Sequence, residues 1–311
     1  METERVMKER TVMNCENKCF GKSGIAGPIE VPGTYDASTP WKFYNHLISE
    51  IPEDILVSDC CVGAHWCYVE AECGVGISYT LAGGGQAVHD GTISGLPLRS
   101  VAELSKSWNF REASIGVAAL NAWYSQLEKV QALGGRIAEN AEHRGHFQHG
   151  TTDNPILDEQ FTIDPFVGLK PAYTGKKVAV IGHFPGVDEM AEICNLTVLE
   201  RNPRGRLDTP DPACEYVLPS QDFVFSTGVA IINKTAPRIL DLSQNATVVM
   251  VGPSVIPSPF LFKWGIDILA GRVVLDAETV KRGVKQGSSF NGTLRMFSLE
   301  KPQPKVAENS N

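Results

Sequence analysis

A series of short apolar runs in the second half of the chain constrains the fold more than any other feature. The runs are KKVAVIG (176–182), LTVLE (196–200), YVLP (216–219), DFVFST (222–227) and ATVVMVG (246–252). Runs without polar alternation are typical of parallel strands that are covered on both faces. Helical patterns at 187–195 and 236–242 lie between them. Strands that alternate with helices predict an α/β fold built on a doubly wound parallel sheet.

The first half of the chain follows a different pattern. The predicted elements are a helix that begins at Thr39, strands at 55–63, 65–71 and 74–81, and helices at 100–108 and 113–133. The first helix has a proline at its first position, which is a common start signal. The three strands are rich in β-branched and aromatic residues and are separated by glycine or alanine, so they predict an antiparallel meander. This half is therefore predicted as an α+β unit.

The length of 311 residues suggests about two domains, and a hydrophobic content of 42% is enough for a core in each. The predicted division is an N-terminal arm at 1–39, an α+β domain at 40–135, a linker at 136–175, an α/β domain at 176–290 and a C-terminal tail at 291–311. The boundaries follow the changes of pattern and the clusters of glycine, proline and histidine.

Composition argues against several classes of protein. No apolar run approaches the roughly 20 residues of a membrane helix, and METERVMKER is not followed by a signal-peptide core. We therefore expect a soluble, cytoplasmic protein. With 28 basic and 36 acidic residues the net charge is −8, and the basic residues are scattered, which argues against nucleic-acid and membrane partners. The expected partner is a small molecule, and homo-oligomer formation stays open.

The turn GHFPG (182–186) is the strongest candidate for a ligand site. In an open α/β sheet this turn faces the ligand, and the N-terminus of the next helix offers N–H groups to an anion. Glu200 ends the second strand, where an acidic residue commonly accepts a hydroxyl proton. Because G-x-x-x-G departs from the dinucleotide pattern G-x-G-x-x-G, the alternative interpretation is a tight turn with a surface acid.

Two later strand ends carry small and polar residues. They are Thr227 and Gly228, followed by Asn233 and Thr235, and then Gly252, Pro253 and Ser254. Glycine permits close approach of a ligand to the backbone, and short polar groups orient it. Each set alone is ordinary turn chemistry, but together they favour a binding edge.

Three histidines are candidates for acid–base chemistry, namely His65, His89 and His183. Imidazole titrates near neutral pH, although a single histidine is more often structural. His183 is favoured because it lies in the ligand-facing turn. The chain has neither a G-x-S-x-G elbow nor a Walker motif.

The sharpest metal-like pattern is the run His143-x-x-His146-x-x-His149. Imidazoles three residues apart share a helix face and suit a transition metal. A glycine inside the run, and the lack of a carboxylate or cysteine at ligand spacing, favour a solvated linker instead. Cys15 and Cys19, in the predicted arm, are weak metal-ligand candidates and the most reactive thiols expected.

The other cysteines do not form paired C-x-x-C knuckles. Cys60, Cys61, Cys67 and Cys73 lie in the predicted strands. Alternation along a strand places Cys60 and Cys61 on opposite faces, so both cannot join one tetrahedral site. Buried, inert thiols are predicted for Cys60 or Cys61, for Cys194 and for Cys214.

The motifs GVGISYTL, GLPLRSVAELS, ASIGVAALNA, KVAVIGHFPGVDEM, LTVLERNPRG, DFVFSTGVAIINKT and VVMVGPSVIPSPFLFKWGIDILAG occur in this order. Their order resembles that of the heavy-metal-chelation family of bacterial and archaeal two-domain proteins, over about residues 40–290. The resemblance implies an enolase N-terminal-like domain followed by a Rossmann-like domain, with a site between them.

The resemblance further implies a small polar or anionic ligand in the interdomain crevice. A pterin-, flavin- or siderophore-like molecule or a metal chelate fits this description, with condensation or hydrolysis as the associated chemistry. His183 and Glu200 are the predicted catalytic residues. The predicted ligand-binding residues are Asn121, Gly182, Pro185, Gly186, Thr227, Gly228, Asn233, Thr235, Gly252, Pro253 and Ser254. A transition metal or metal chelate is the candidate cofactor.

Two alternatives stay open, as does the question whether the protein is an enzyme. One is a non-catalytic chelate-binding protein or metallochaperone that uses Cys15, Cys19 and the histidine run. The other is a methyltransferase-like enzyme with a nucleoside cofactor, to which Glu200 is suited. Asn121, a lone polar residue in an apolar helical run, is predicted either to cap local backbone or to reach the crevice, and we favour the crevice.

Overall fold

The first half of the chain contains a helix followed by a small antiparallel sheet. The computed structural model describes residues 29, 31, 39–139 and 163–302. The first elements are α1 (Thr39–Ser49), β1 (Val57–Val62), β2 (Trp66–Ala71) and β3 (Gly74–Tyr79). The three strands pair in sequence order, and both pairs are antiparallel. The predicted meander is therefore confirmed.

Three further helices complete this half: α2 (Leu98–Ala102), α3 (Phe110–Tyr124) and α4 (Leu127–Ala132). The side chain of Asn109 accepts the N–H groups of Arg111 and Glu112 and so begins α3. The single helix predicted over 113–133 is wrong, because the chain is extended at Gln126 between α3 and α4. The side chains of Ser125 and Gln126 bond back to α3 and compete with continued helix formation.

The second half is organised around one eight-stranded sheet. Its strands are β4 (Arg136–Ile137), β5 (Lys177–Ile181), β6 (Asn195–Glu200), β7 (Asp208–Pro210), β8 (Phe223–Thr227), β9 (Thr247–Val251), β10 (Ile268–Val274) and β11 (Leu294–Glu300). Their order is β4-β11-β10-β9-β8-β5-β6-β7. The pairs from β10 to β7 are parallel, whereas β11 is antiparallel to both β10 and β4. The predicted α/β class is confirmed.

Short helices connect these strands. They are α5 (Pro165–Gly168), α6 (Lys170–Tyr173), α7 (Val187–Ile193), α8 (Cys214–Val217), α9 (Val229–Ile232), α10 (Ala236–Leu242) and α11 (Ala277–Gln286). Across the ranges described, no helix is long and apolar enough to cross a membrane.

The strand predicted at 216–219 is wrong. Its residues end α8 and enter a 3-10 turn at Leu218–Ser220. Pro219 has no N–H group for a strand ladder, and Tyr216 is 88% exposed rather than buried. Apolar character alone therefore misled the prediction.

The sheet extends into both segments that the sequence assigns to linker and tail. Residues 294–300, within the predicted tail, form β11 and pair with β10 over seven positions. Residues 136–137, at the start of the predicted linker, form β4 on the other side of β11. Phe297 and Leu299 of β11 are buried in the core, which is the reason this edge belongs to the sheet.

The strand order reverses at the middle of the sheet. From β5 the chain moves outward to β6 and β7, and then returns to β8 on the other side of β5. The carboxyl ends of β5 and β8 therefore diverge at a topological switch point, the usual place for a ligand in an open α/β sheet.

The two halves share their largest hydrophobic cluster. It includes Phe43 and Leu47 of α1 together with Ile231 of α9 and Leu261 of the second half. The Tyr44 hydroxyl donates to the Ile231 carbonyl across 2.8 Å, and the phenol is fully buried. The halves are thus joined by a packed apolar contact rather than by an open cleft at this point.

Candidate functional site

His183 and Asp208 form a hydrogen-bonded pair at the carboxyl edge of β5, β6 and β7. His183 Nδ1 lies 2.7 Å from Asp208 Oδ1. The His183 side chain is 46% exposed, whereas that of Asp208 is 1% exposed. Because an ionised carboxylate can only accept, the ring proton lies on Nδ1. This tautomer leaves the lone pair of Nε2 for a metal ion or a proton.

Asp208 also fixes the loop at 201–206. Its Oδ2 accepts the backbone N–H of Arg204 at 2.8 Å and that of Gly205 at 2.6 Å. These two N–H groups and the His183 ring lower the pKa of Asp208 to about 2. A β-carbon at Gly205 would lie 3.1 Å from His183 Cε1, so the loop backbone lies against the imidazole. Asp208 was not predicted, since no local pattern joins it to His183, 25 residues earlier.

Glu200 lies at the same edge and bonds two backbone N–H groups. Its Oε2 accepts the His183 N–H at 3.1 Å, and its Oε1 accepts the Asn202 N–H at 3.0 Å. The carboxylate therefore holds the β5 and β6 turns together. Each of its oxygens has one protein donor and the capacity to accept a second hydrogen bond.

The turn at 182–186 lies close to β8 at the switch point. Gly182 has a φ of 94°, and a β-carbon there would lie 3.3 Å from Thr227 Cγ2 of β8. Pro185 is exposed, and Gly186 begins α7 with a φ of 90°. The seven-residue helix α7 carries Asp188 and Glu189 in its first turn. These carboxylates compete with an anionic ligand for the helix N-terminus, so the predicted anion position there loses support.

The predicted strand-end residues near β9 contact the first half instead of lining open space. Asn121 Nδ2 donates to the Ile77 carbonyl at 2.9 Å and to the Pro253 carbonyl at 3.2 Å. Asn121 Oδ1 accepts the Ser125 hydroxyl, and the residue is 1% exposed. Its amide thus joins α3 to β3 and to the second half at once, with both N–H groups used.

Ser254, in the turn after β9, has the same joining role. Gly252 has a φ of 115°, which gives the turn after β9 its shape. The buried Ser254 hydroxyl accepts the Tyr79 N–H at 2.9 Å. A β-carbon at Gly228 would lie 2.7 Å from the Ser254 backbone, so glycine is needed for this close approach. The edge at β8 and β9 is therefore closed by the first half.

The segment at 233–235 forms a local turn. Asn233 Oδ1 accepts both the N–H and the hydroxyl of Thr235, at 3.1 and 2.6 Å. The Thr227 hydroxyl likewise accepts the Val229 N–H. These polar groups therefore bond within their own turns.

Lys234, between two predicted ligand residues, fastens the halves together. Its Nζ donates to the Ser107 carbonyl of the first half and, at 2.8 Å, to the Ile232 carbonyl. The rings of Trp108 and Phe110 lie 5.9 Å from the amine. Burial lowers the pKa of Lys234 to about 7, and the Glu112 carboxylate offsets part of that effect.

The Lys234 amine makes stability depend on pH above neutrality. Between pH 7 and 10.5 the unfolded chain holds the proton that the folded chain has released, so the free energy of unfolding rises with pH. We expect the stability of the wild type relative to Lys234→Met to rise by up to about 1.4 kcal/mol per pH unit in this window. Urea denaturation at pH 7 to 10 measures it. Lys42→Met, at an exposed lysine, is the control; a flat difference for Lys234→Met contradicts the expectation.

The other two candidate histidines lie in the first half. His65 is exposed in the β1–β2 region and lines a cavity of about 250 Å³ with Trp66 and the last turns of α11. The His89 N–H donates to Glu112, while its buried Nε2 has no hydrogen-bond partner in the described ranges. Neither ring has a carboxylate partner comparable to that of His183 in that part of the chain.

A protein-enclosed metal centre is not found in the part of the chain that the structure describes. Within 29, 31, 39–139 and 163–302, no three or more His, Cys, Asp or Glu side chains are grouped to hold an ion. The predicted ligand candidates Cys15, Cys19, His143, His146 and His149 lie outside these described residues. The described side chains therefore do not fit a resident metal with a complete protein ligand set.

Comparison with known proteins adds independent findings. Two family models match the chain, at residues 44–124 and 165–300, and both carry the description "putative heavy-metal chelation". An uncharacterised protein of Methanocaldococcus jannaschii is 26% identical over 268 residues, covering 82% of this chain and 94% of that protein.

Two crystal structures of proteins of unknown function from the family of the second model are similar to this chain. The protein from Desulfitobacterium hafniense is 32% identical with a TM-score of 0.68, covering 84% of this chain and 98% of the other. The protein from Pyrococcus horikoshii is 23% identical with a TM-score of 0.62, covering 83% and 98%, and supports the fold alone.

Proposed function

The chain belongs to the heavy-metal-chelation family, and from this premise we propose that it binds a metal chelate at the carboxyl edge of β5, β6 and β7. The chelate is a metal ion held by a small anionic organic molecule. In this proposal the organic molecule supplies most of the metal ligands, and the protein supplies His183.

The pairing of His183 with Asp208 is the observation that carries the proposal. A histidine that ligates a metal commonly donates its second ring N–H to a carboxylate, which fixes the tautomer and raises ligand basicity. The 2.7 Å bond from Nδ1 to the buried carboxylate provides this arrangement, while almost half of the His183 side chain is exposed. Nε2 is thereby prepared to act as a single metal ligand at this edge of the sheet.

The lack of a grouped set of three ligand side chains in the described residues supports a chelate over a bare ion. One imidazole cannot enclose a transition metal, which takes four to six ligands. A chelator that already occupies most coordination positions of the metal leaves one or two open. One imidazole nitrogen fills one of these positions.

The surroundings of His183 suit an anionic chelator. Arg204 and Arg206 are exposed and flank Gly205, whose backbone lies against the imidazole ring. Guanidinium groups pair with carboxylates in a bidentate manner. The charges of Asp208 and Glu200 are held by backbone N–H groups at the same edge. We therefore assign the anionic part of the chelator to the loop that carries Arg204 and Arg206, and not to the N-terminus of α7.

Binding of Ni(II)–nitrilotriacetate tests this function, because this anionic chelate has two open coordination positions. The full chain with His143, His146 and His149 changed to alanine removes the competing histidine run. We expect this protein to bind one equivalent by isothermal titration, and His183→Ala to weaken binding about tenfold or more, because the imidazole that completes the coordination is lost. Native mass spectrometry of untagged protein would then identify the natural chelator.

His46→Ala is the matched control for this experiment. His46 is 41% exposed and has a carboxylate neighbour, Glu50, but at 4.0 Å rather than 2.7 Å. Its loss should leave the affinity unchanged. Equal affinity of His183→Ala and its parent would remove the proposed function.

Acid–base catalysis on the bound chelator is a second candidate, favoured by the same pair. An imidazole whose Nδ1–H is held by a carboxylate is suited to take a proton at Nε2. Hydrolysis or condensation of the chelator that depends on His183 would show as a mass change of the bound molecule after incubation.

A further inference from the structure

Two thiols lie side by side on the small sheet of the first half. In the β1–β2 register Val62 is opposite Cys67, and Cys60 is opposite Val69. Cys60 is therefore two residues from the partner of Cys67 and shares its face as a diagonal neighbour. The register therefore places both thiols on one face of the sheet, and both are free cysteines.

One thiol of the pair is buried, and the other is partly accessible to solvent. Cys67 is fully buried in the largest hydrophobic cluster, whereas Cys60 is half-buried at its border. Ser78 lies opposite Cys67 on β3, and its buried hydroxyl donates to the Ser114 carbonyl at 2.7 Å. Cys61 faces a different cluster, as the alternation predicts. One face therefore presents two sulfur atoms, with access from the Cys60 side.

Neighbouring groups do not supply a third ligand. The Asp59 carboxylate accepts the Tyr68 hydroxyl at 2.6 Å and the Lys285 amine at 2.9 Å. The described residues contain no group of three His, Cys, Asp or Glu side chains placed for a metal. A tetrahedral zinc site is thus unsuited to this position, because zinc takes four ligands.

We propose that Cys60 and Cys67 bind one soft, thiophilic metal ion, such as Cu(I), Ag(I) or Hg(II), between two thiolates. Ions of this class accept two sulfur ligands in a linear arrangement, and soft thiolates select them over hard cations. Two metal–sulfur bonds form, and the two S–H bonds lose their protons to solvent without any change of oxidation state. This dithiol site is separate from His183 and does not depend on the function proposed there.

Cu(I) binding by the full-length protein tests the site, measured anaerobically by competition with bicinchoninate. Changing Cys15 and Cys19 to serine gives a background without the thiols of the N-terminal segment. We expect one tightly bound Cu(I) in this background. Cys60→Ser or Cys67→Ser should each weaken it by about 100-fold or more, beyond the 10–100-fold typical of an outer-shell change, because a two-coordinate ion loses half its ligands.

Cys61→Ser is the matched control, since its thiol lies next in sequence but on the opposite face. Its Cu(I) affinity should equal that of the background. X-ray absorption should show two sulfur ligands at the copper. If Cys67→Ser does not fold, the Cu(I) affinity of Cys60→Ser, whose residue lies at the border of the cluster, decides the test. Background-level affinity in Cys60→Ser, or an equal loss in Cys61→Ser, overturns the dithiol site.

Discussion

Replacing Gly116 with alanine is expected to destabilise the protein by about 3 kcal/mol or more, at the upper end of overpacking costs. In an ordinary helix interior the same change stabilises by about 1 kcal/mol. Here α3 crosses the 3-10 turn at Glu103–Lys106, and a β-carbon on Gly116 would lie 1.9 Å from the Ser105 nitrogen. The obstacle is backbone, so no side-chain rotation relieves it.

Urea denaturation followed by circular dichroism measures this loss. Gly292→Ala is the control, because no atom lies within 4 Å of its β-carbon position. Its stability should change by no more than about 0.5 kcal/mol. Failure of Gly116→Ala to fold agrees with the expectation, whereas a loss under about 1 kcal/mol would show that α3 and the turn can separate without cost.

Asp208→Asn is expected to lower the affinity for Ni(II)–nitrilotriacetate by about 10–100-fold, the usual effect of losing the carboxylate behind a metal-ligating histidine. Two physical effects add. The amide no longer imposes the Nδ1–H tautomer on His183, and it lacks the charge that accepts the Arg204 and Gly205 N–H groups. Isothermal titration in the background without the histidine run measures the change.

Asp211→Asn is the matched control for charge. Asp211 pairs with Arg201 at 3.0 Å on the same exposed segment, and its carboxylate accepts the guanidinium Nε–H there. The same loss of one negative charge should therefore leave affinity within about twofold, as expected for an exposed pair. If Asp208→Asn and Asp211→Asn weaken binding equally, the carboxylate acts through long-range charge and not by orienting the imidazole.

The contact between the halves limits where a ligand can lie. Asn121, Ser254 and Lys234 use their polar atoms to join the first half to the carboxyl edge at β8 and β9. The His183 and Asp208 pair lies at β5 and β7, on the other side of the switch point. Within the described ranges, the part of the edge without these contacts is the side that carries the imidazole.

Local sequence was sufficient for most secondary structure. The apolar runs at β5, β6, β8 and β9 bury both faces of a parallel sheet, and this requirement is visible in each run alone. The meander and the start of α1 also follow from local chemistry. Where apolar character was the sole signal, as at 216–219, the prediction failed because a proline cannot donate to a ladder.

The turn with His183 could be located from its place after a strand, but its partner could not. Asp208 lies 25 residues away, and nothing in the spacing shows that β7 pairs with β6 and so brings Asp208 to the turn after β5. The same holds for Asn121, which is matched to Pro253 across 132 residues. Such pairs depend on how the chain returns through the sheet.

The hydrophobic pattern and composition of a segment thus establish whether it forms a strand. Burial selects the side chains of each segment separately, so the signal is local. The choice between a ligand-facing and a joining role needs the folded chain. A polar side chain bonds whichever group lies within about 3 Å, and that neighbour is set by long-range packing. Long-range packing sets three such pairings: that of Gly116 with the neighbouring backbone, that of Cys60 with Cys67 on one face of the sheet, and that of His183 with its carboxylate.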